Sequence, residues 1–142
     1  MQILKSIACV GGSYILSIVL VLLSDPLLGA LFPNDYVRGK PIPDSLLWAS
    51  TGFFVLAAIF CAWVCAKTAP GRVLTHIIWF FAIGEIMGGG ATFANWGKVP
   101  HWYSIAWLLL WIPAVWVGWK LVRRRDVGLI AETPQAQPEL GE

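Results

Sequence analysis

Glu85 is the residue in this 142-residue sequence best placed to do chemistry. It sits near the middle of a long apolar run, Val73 to Trp96, with no Lys or Arg at comparable depth. A carboxylate at the centre of a bilayer costs about 2.5–3.5 kcal/mol on insertion scales, so this one is expected to be neutral or well hydrogen-bonded. Two roles follow. It could carry a proton in a small proton-driven carrier, or, as a protonated acid, it could bond a neighbouring Tyr, Ser or carbonyl and lock two helices together. Gly84, Gly88, Ala91 and Asn95 recur at four, three and four residues, and Glu85 borders that small-residue stripe with Gly88, Gly89 and Thr92. Such stripes let helices approach closely, so Glu85 is expected to face other helices. Depth suggests its neighbours: Tyr14 in the middle of the first apolar run with Ser13 and Ser17 beside it, and Trp111 in the middle of the last run.

A second constellation is sulfur and imidazole. Cys61 and Cys65 lie four apart on one helical face, Cys9 lies early in the first run, and His76 lies early in the third. If all four share a leaflet, two or three thiolates and one imidazole would suit Zn²⁺. The spacing is not that of a CxxC motif, and Cys also serves as a small apolar packing residue. Ala58, Ala62 and Ala66 beside the cysteines favour packing, so no metal and no cofactor is expected. A row of Trp (Trp107, Trp111, Trp116, Trp119) could line an apolar ligand groove or stack on a flat pigment or quinone; its commoner meaning is bulk facing lipid or a neighbouring subunit. No GxSxG, HExxH or Walker motif and no paired carboxylates are present. His76 and His101 fall on opposite sides of the membrane, which argues against a bis-His haem.

The elements that must position these groups follow from composition. The chain is 58% hydrophobic and 13% charged, whereas soluble domains run at about 45–50% and about 25%. Its net charge of +2 is too small for a nucleic-acid footprint. Four runs are long and apolar enough to cross a bilayer, at about 3–23, 46–66, 73–96 and 102–122. They lack strict alternation, and lipid leaves exposed backbone no partner, so the expected fold class is all-α: four transmembrane helices in a bundle. Pro26, Pro33, Pro41 and Pro43 punctuate the first connection, Pro70-Gly71 the second and Pro100 the third, while Pro113 falls inside the last span. Residues 26–32 read as a short interfacial helix. The first run is too long for a signal-peptide core and reads as an uncleaved span. Residues 1–125 form the membrane domain, and the polar, Pro-containing stretch 126–142 reads as a disordered cytoplasmic tail.

Seven of the ten Lys and Arg (Lys5, Lys67, Arg72, Lys120, Arg123, Arg124, Arg125) fall on one side of this arrangement, against Arg38, Lys40 and Lys98 on the other. The positive-inside rule then puts both termini in the cytoplasm. Trp48, Trp96 and Trp102 would mark the outer boundary, with Trp63 and Trp119 near the inner one.

The segment 94–121, with Trp96, Pro100, Trp102-Tyr103, Pro113 and Gly118, resembles a group of small bacterial four-span membrane proteins without assigned function, and the opening LKSIACVGGSYILSIVLVLL is similar to the first span of that group. The resemblance covers most of 1–125 and implies a bacterial inner-membrane location, with no activity. Glu85 and the long connection around Asn34–Lys40 depart from the group's pattern.

Taken together, the expectation is a membrane protein that is not an enzyme, an accessory or assembly subunit whose partners are the lipid bilayer and other membrane subunits or further copies of itself. The rival is a small proton-coupled transporter or exporter using Glu85. A membrane enzyme acting on lipid would have only Glu85, His76 and Tyr14 to draw on.

Overall fold

In the computed structural model the chain is described over residues 2–33 and 42–131. The connection carrying Arg38, Lys40 and Pro41, the side chains of Arg124 and Arg125, and the tail from 132 lie outside the described residues. The regular elements among them are four helices: α1 (Gln2–Leu31), α2 (Asp44–Thr68), α3 (Val73–Ala94) and α4 (His101–Ala131). Each contains a stretch long and apolar enough to cross a membrane. They run alternately up and down, so the start of α1, the α2–α3 turn and the end of α4 share one end of the bundle.

α2 is the hub. It packs against the other three helices, whereas α1 and α4 flank it without packing on each other among the described residues. Its buried positions (Leu46, Leu47, Ser50, Thr51, Phe54, Ala57, Ala58, Cys61, Ala62, Cys65 and Ala66) recur every three or four residues along the helix. From Ala57 onward that stripe is made of Ala and Cys, and small residues let backbones approach where lipid supplies no hydrophobic drive. α4 uses this. A Cβ on Gly118 would lie 2.7 Å from the Ala62 Cβ and 3.0 Å from the Trp63 amide nitrogen. α3 is the least embedded helix, burying only His76, Ile77 and Phe80, all in its first half.

Four hydroxyl groups donate within their own helices, as an apolar surrounding favours. Ser17 donates to the Tyr14 carbonyl at 2.7 Å, Ser24 to Val21 at 2.6 Å, Thr51 to Leu47 at 2.8 Å and Thr68 to Val64 at 2.8 Å. The α2–α3 turn needs Gly71, whose φ of +86° is one that side-chain-bearing residues avoid.

Two boundaries differ from the sequence expectation. Pro26 does not end the first span: α1 runs through it to Leu31, with Leu28 buried. Pro26 is exposed, and the bond lost at its nitrogen is a local defect in an otherwise continuous ladder. Likewise, α4 continues to Ala131, taking residues 126–131 out of the expected tail. At that end of the bundle, basic groups lie over indole rings: Lys67 over Trp63 at 5.0 Å, Lys120 over Trp116 at 4.2 Å and Arg123 over Trp119 at 5.8 Å. These pairs form the aromatic and cationic belt typical of a membrane interface.

Candidate functional site

The candidate site is built from the register of α3 against α4. Gly84 lets the indole of Trp111 lie against the α3 backbone, where any Cβ would collide with the ring. The indole N–H donates to the Phe81 carbonyl at 3.3 Å. Trp111 is only 6% exposed and packs on Phe80 and Phe54, with ring centroids at 5.3 and 5.9 Å. Phe54 in turn stacks on Trp107 at 4.1 Å and 14°, and Trp107 meets Tyr103 at 5.5 Å. An aromatic row therefore runs from the middle of the bundle toward the α3–α4 turn. Tyr103, Trp107 and Trp111 come from α4 at intervals of four residues, and α2 contributes Phe54. The row is contiguous because Tyr103 meets Trp107 one turn along the same helix face and Phe54 bridges Trp107 to Trp111.

Beside this row lies a cavity of about 360 Å³. α1 supplies Tyr14, Ser17 and Val21, α2 supplies Phe54, Ala57 and Ala58, and α3 supplies Gly84, Glu85, Gly88, Ala91 and Thr92, with Asn95 just past its end. Ile18, Leu22, Met87, Ala91 and Asn95 border it and are exposed, so it is a cleft open along its α1 and α3 margins. The gap exists because α1 and α4 are held apart by α2, while the second half of α3 lines the space largely with small residues, Gly84, Gly88 and Ala91.

Glu85, Tyr14, Thr92 and Trp111, together with Ser17, Gly84, Gly88 and Ala91, all line this cavity. Ser13 does not. It is buried on the neighbouring face of α1, beside Cys65. Although Tyr14 and Glu85 share the cavity, no hydrogen bond joins them, and Glu85 Oε1 is buried with no hydrogen-bond partner in the protein. The Trp107 Nε1–H is likewise buried and unpartnered. The helix-locking bond expected of Glu85 is therefore not made through Oε1. Ser17 has given its proton to its own helix, and no other donor reaches that atom. The cavity wall thus carries one unmet oxygen and one unmet N–H donor, both in apolar surroundings where such groups are costly.

The Trp row divides between inside and outside. Trp111 and Trp107 turn into the bundle and line the cavity, contrary to the reading of the whole row as outward bulk, whereas Trp116 is 51% exposed and keeps that role. Phe54 was not singled out from the sequence, and Tyr103 only within the Trp102-Tyr103 pattern, although the spacing of Tyr103, Trp107 and Trp111 carried the signal.

The sulfur cluster is a separate site near the other end of the bundle. Cys9 Sγ lies 3.9 Å from Cys65 Sγ, 3.3 Å from the Cys65 carbonyl oxygen and 3.3 Å from Thr68 Oγ1. Cys61 is fully buried one turn away on α2. The His76 imidazole turns back to its own first turn, with Nδ1 3.0 Å from the Arg72 carbonyl oxygen. Cys65 Sγ reaches only the His76 backbone, at 4.0 Å. Among the described residues no three His, Cys, Asp or Glu side chains converge as a metal site would require. Cys9 and Cys65 form a close contact between α1 and α2, with Cys61 buried beside them on α2.

No protein-family model, curated protein or solved structure matches this chain. Fold and site define its class directly: an all-helical, multi-pass membrane protein with four spans among the described residues and an intramembrane cleft whose wall includes an acid and an aromatic row.

Proposed function

We propose that this protein binds a small amphipathic molecule inside the membrane and carries it, with Glu85 coupling occupancy of the cleft to its own protonation. The observation that supports this reading is the buried, unpartnered Glu85 Oε1 on the wall of a cleft of about 360 Å³. A carboxyl serving only to join helices would be bonded to one, whereas an acid held ready for a ligand keeps its oxygen unspent. Small-molecule sites run from about 300 to 1,000 Å³, mostly apolar with a few converging polar groups, and this cleft falls at the lower end of that range. The wall is preorganised, since the stacked rings and the Trp111–Phe81 bond fix the side chains opposite Glu85. The location we propose is a bacterial inner membrane with both termini on the cytoplasmic side, supported by the distribution of Lys and Arg and by the cation-bearing Trp belt.

A second reading, membership of a larger membrane assembly or homo-oligomer, is favoured by α3. Its second half buries no residue, and Ile86 and Phe93 are 73% and 86% exposed. The two readings are compatible if the cleft opens toward a neighbouring chain.

Binding is tested by titrating tert-butylbenzene into the purified full chain in non-ionic micelles and following Trp emission, because Trp107 and Trp111 line the cleft. The expected result is a saturable change that disappears in Ala91→Phe, which fills the cleft from its exposed rim. A response that rises linearly and equally in both proteins would overturn the proposal.

A further inference from the structure

Resting on that reading of the cleft, the geometry points to a chemical class for its occupant: a cation, namely a protonated or quaternary amine with an aromatic or branched apolar body, exchanged for the proton of Glu85. The charge inventory of the wall carries the argument. Among the lining residues Glu85 is the sole acid, and there is no Lys, Arg or His. The titratable groups facing it are Tyr14 from α1 and Tyr103 from α4, while α2 contributes only Phe54, Ala57 and Ala58. An anion would therefore meet a carboxyl and no counter-charge. A cation would find on this wall an acid whose buried Oε1 has no other partner, and a row of rings whose π-faces attract positive charge within about 6 Å.

One basic group lies at the rim and must be weighed. Lys98 donates to Asn95 Oδ1 at 3.3 Å, and Asn95 lines the cleft at its far end. Asn95 is ten residues beyond Glu85, about 15 Å along a helix. That is far beyond ion-pair distance, and Lys98 is exposed, so its ammonium is hydrated at the rim and does not pair with the acid. Lys98 is engaged at the mouth and does not neutralise Glu85.

The exchange balances. When the cation enters, the O–H bond of the neutral Glu85 carboxyl breaks, its proton leaves to water, and the carboxylate pairs with the ammonium. The cleft holds no net charge before or after, which is the condition for occupying a low-dielectric site without a standing electrostatic cost. The apolar body of the ligand lies along the Tyr103–Trp107–Phe54–Trp111 row, and the Trp107 N–H is available to any acceptor the ligand carries.

Phenyltrimethylammonium and tert-butylbenzene have the same shape and differ in charge, and benzenesulfonate supplies the anionic arm. With the purified full chain in non-ionic micelles, the cation is expected to bind about tenfold or more tightly than its neutral isostere, and the anion not to bind saturably. In lightly buffered medium, cation binding should release protons in step with occupancy, and tert-butylbenzene should release none. Glu85→Gln should keep tert-butylbenzene binding, which shows that the cleft is still formed, and lose both the preference for the cation and the proton release. Equal binding of cation and isostere, or a Gln variant that keeps the preference, would overturn the assigned class and leave the cleft as a binding site for neutral molecules. Failure of both probes to bind saturably would overturn the cleft reading and the class with it.

Discussion

The Trp111 indole occupies the space that a side chain on Gly84 would need, and its N–H is tied to the Phe81 carbonyl on the same helix. This pairing fixes the register of α3 against α4, and through it the direction in which the next residue, Glu85, enters the cleft. Adding a methyl group at Gly84 must displace a ring that is packed against two others. Overpacking of that kind costs about 1–3 kcal/mol. Gly84→Ala is therefore expected to lower the midpoint of thermal unfolding in detergent, whereas Gly88→Ala, whose Cβ would sit 3.5 Å from Leu108 Cδ2, should leave it unchanged. Equal effects at the two positions would contradict the assigned register.

Gly118 makes the corresponding contact between α4 and α2, but against backbone. A Cβ there would approach the Ile59 carbonyl oxygen at 2.5 Å as well as the Trp63 amide nitrogen. Backbone atoms inside a helix do not yield as a side-chain tip does, so Gly118→Ala should destabilise the bundle by at least about 1–3 kcal/mol and Gly118→Val by more. The check is chemical or thermal unfolding in micelles. A Gly118→Ala protein as stable as the parent would show that α4 does not close on α2 in this way.

Much of this architecture was legible in the sequence, because length and hydropathy alone decide which segments can span a bilayer. Glu85, Tyr14, Thr92 and Trp111 could be grouped by depth, since rise per residue converts position in a helix into height. Which way Trp107 and Trp111 point was not legible. Helices that are apolar on all faces carry almost no amphipathic signal, so lipid-facing and bundle-facing sides look alike. The cleft itself was hidden for the same reason: it arises from α2 holding α1 and α4 apart, a relationship between three helices that no local pattern records. Pro26 misled because proline ends a helix in water more readily than in a span whose exposed side faces lipid.

The thiols offer a test of the other end of the bundle. Cys61 and Cys65 are fully buried and Cys9 is 8% exposed. In the folded chain all three are expected to resist a maleimide that labels them after unfolding. Stoichiometric zinc should be absent by elemental analysis, because only two sulfurs approach each other and the His76 ring is turned to Arg72. Zinc that is retained by the parent and lost in Cys65→Ser would contradict this account of the cluster.

Orientation is tested independently. With seven of the ten Lys and Arg grouped on one side, reporter fusions after Glu142 should be active as cytoplasmic fusions, and fusions within the Asn34–Lys40 connection as external ones. A reporter exported at the C-terminus would reverse the direction in which the cleft opens.

The central claim is that Glu85 exchanges a proton for the occupant of the cleft, and proton-driven flux tests it most directly. The full chain is reconstituted into vesicles with an acidic interior, and entry of phenyltrimethylammonium is followed together with exit of protons. The account predicts that wild-type vesicles accumulate the cation while the gradient lasts and lose protons faster than empty vesicles. It also predicts that Glu85→Gln vesicles, holding a protein that still binds tert-butylbenzene, do neither. Accumulation at the wild-type rate by Glu85→Gln would contradict it.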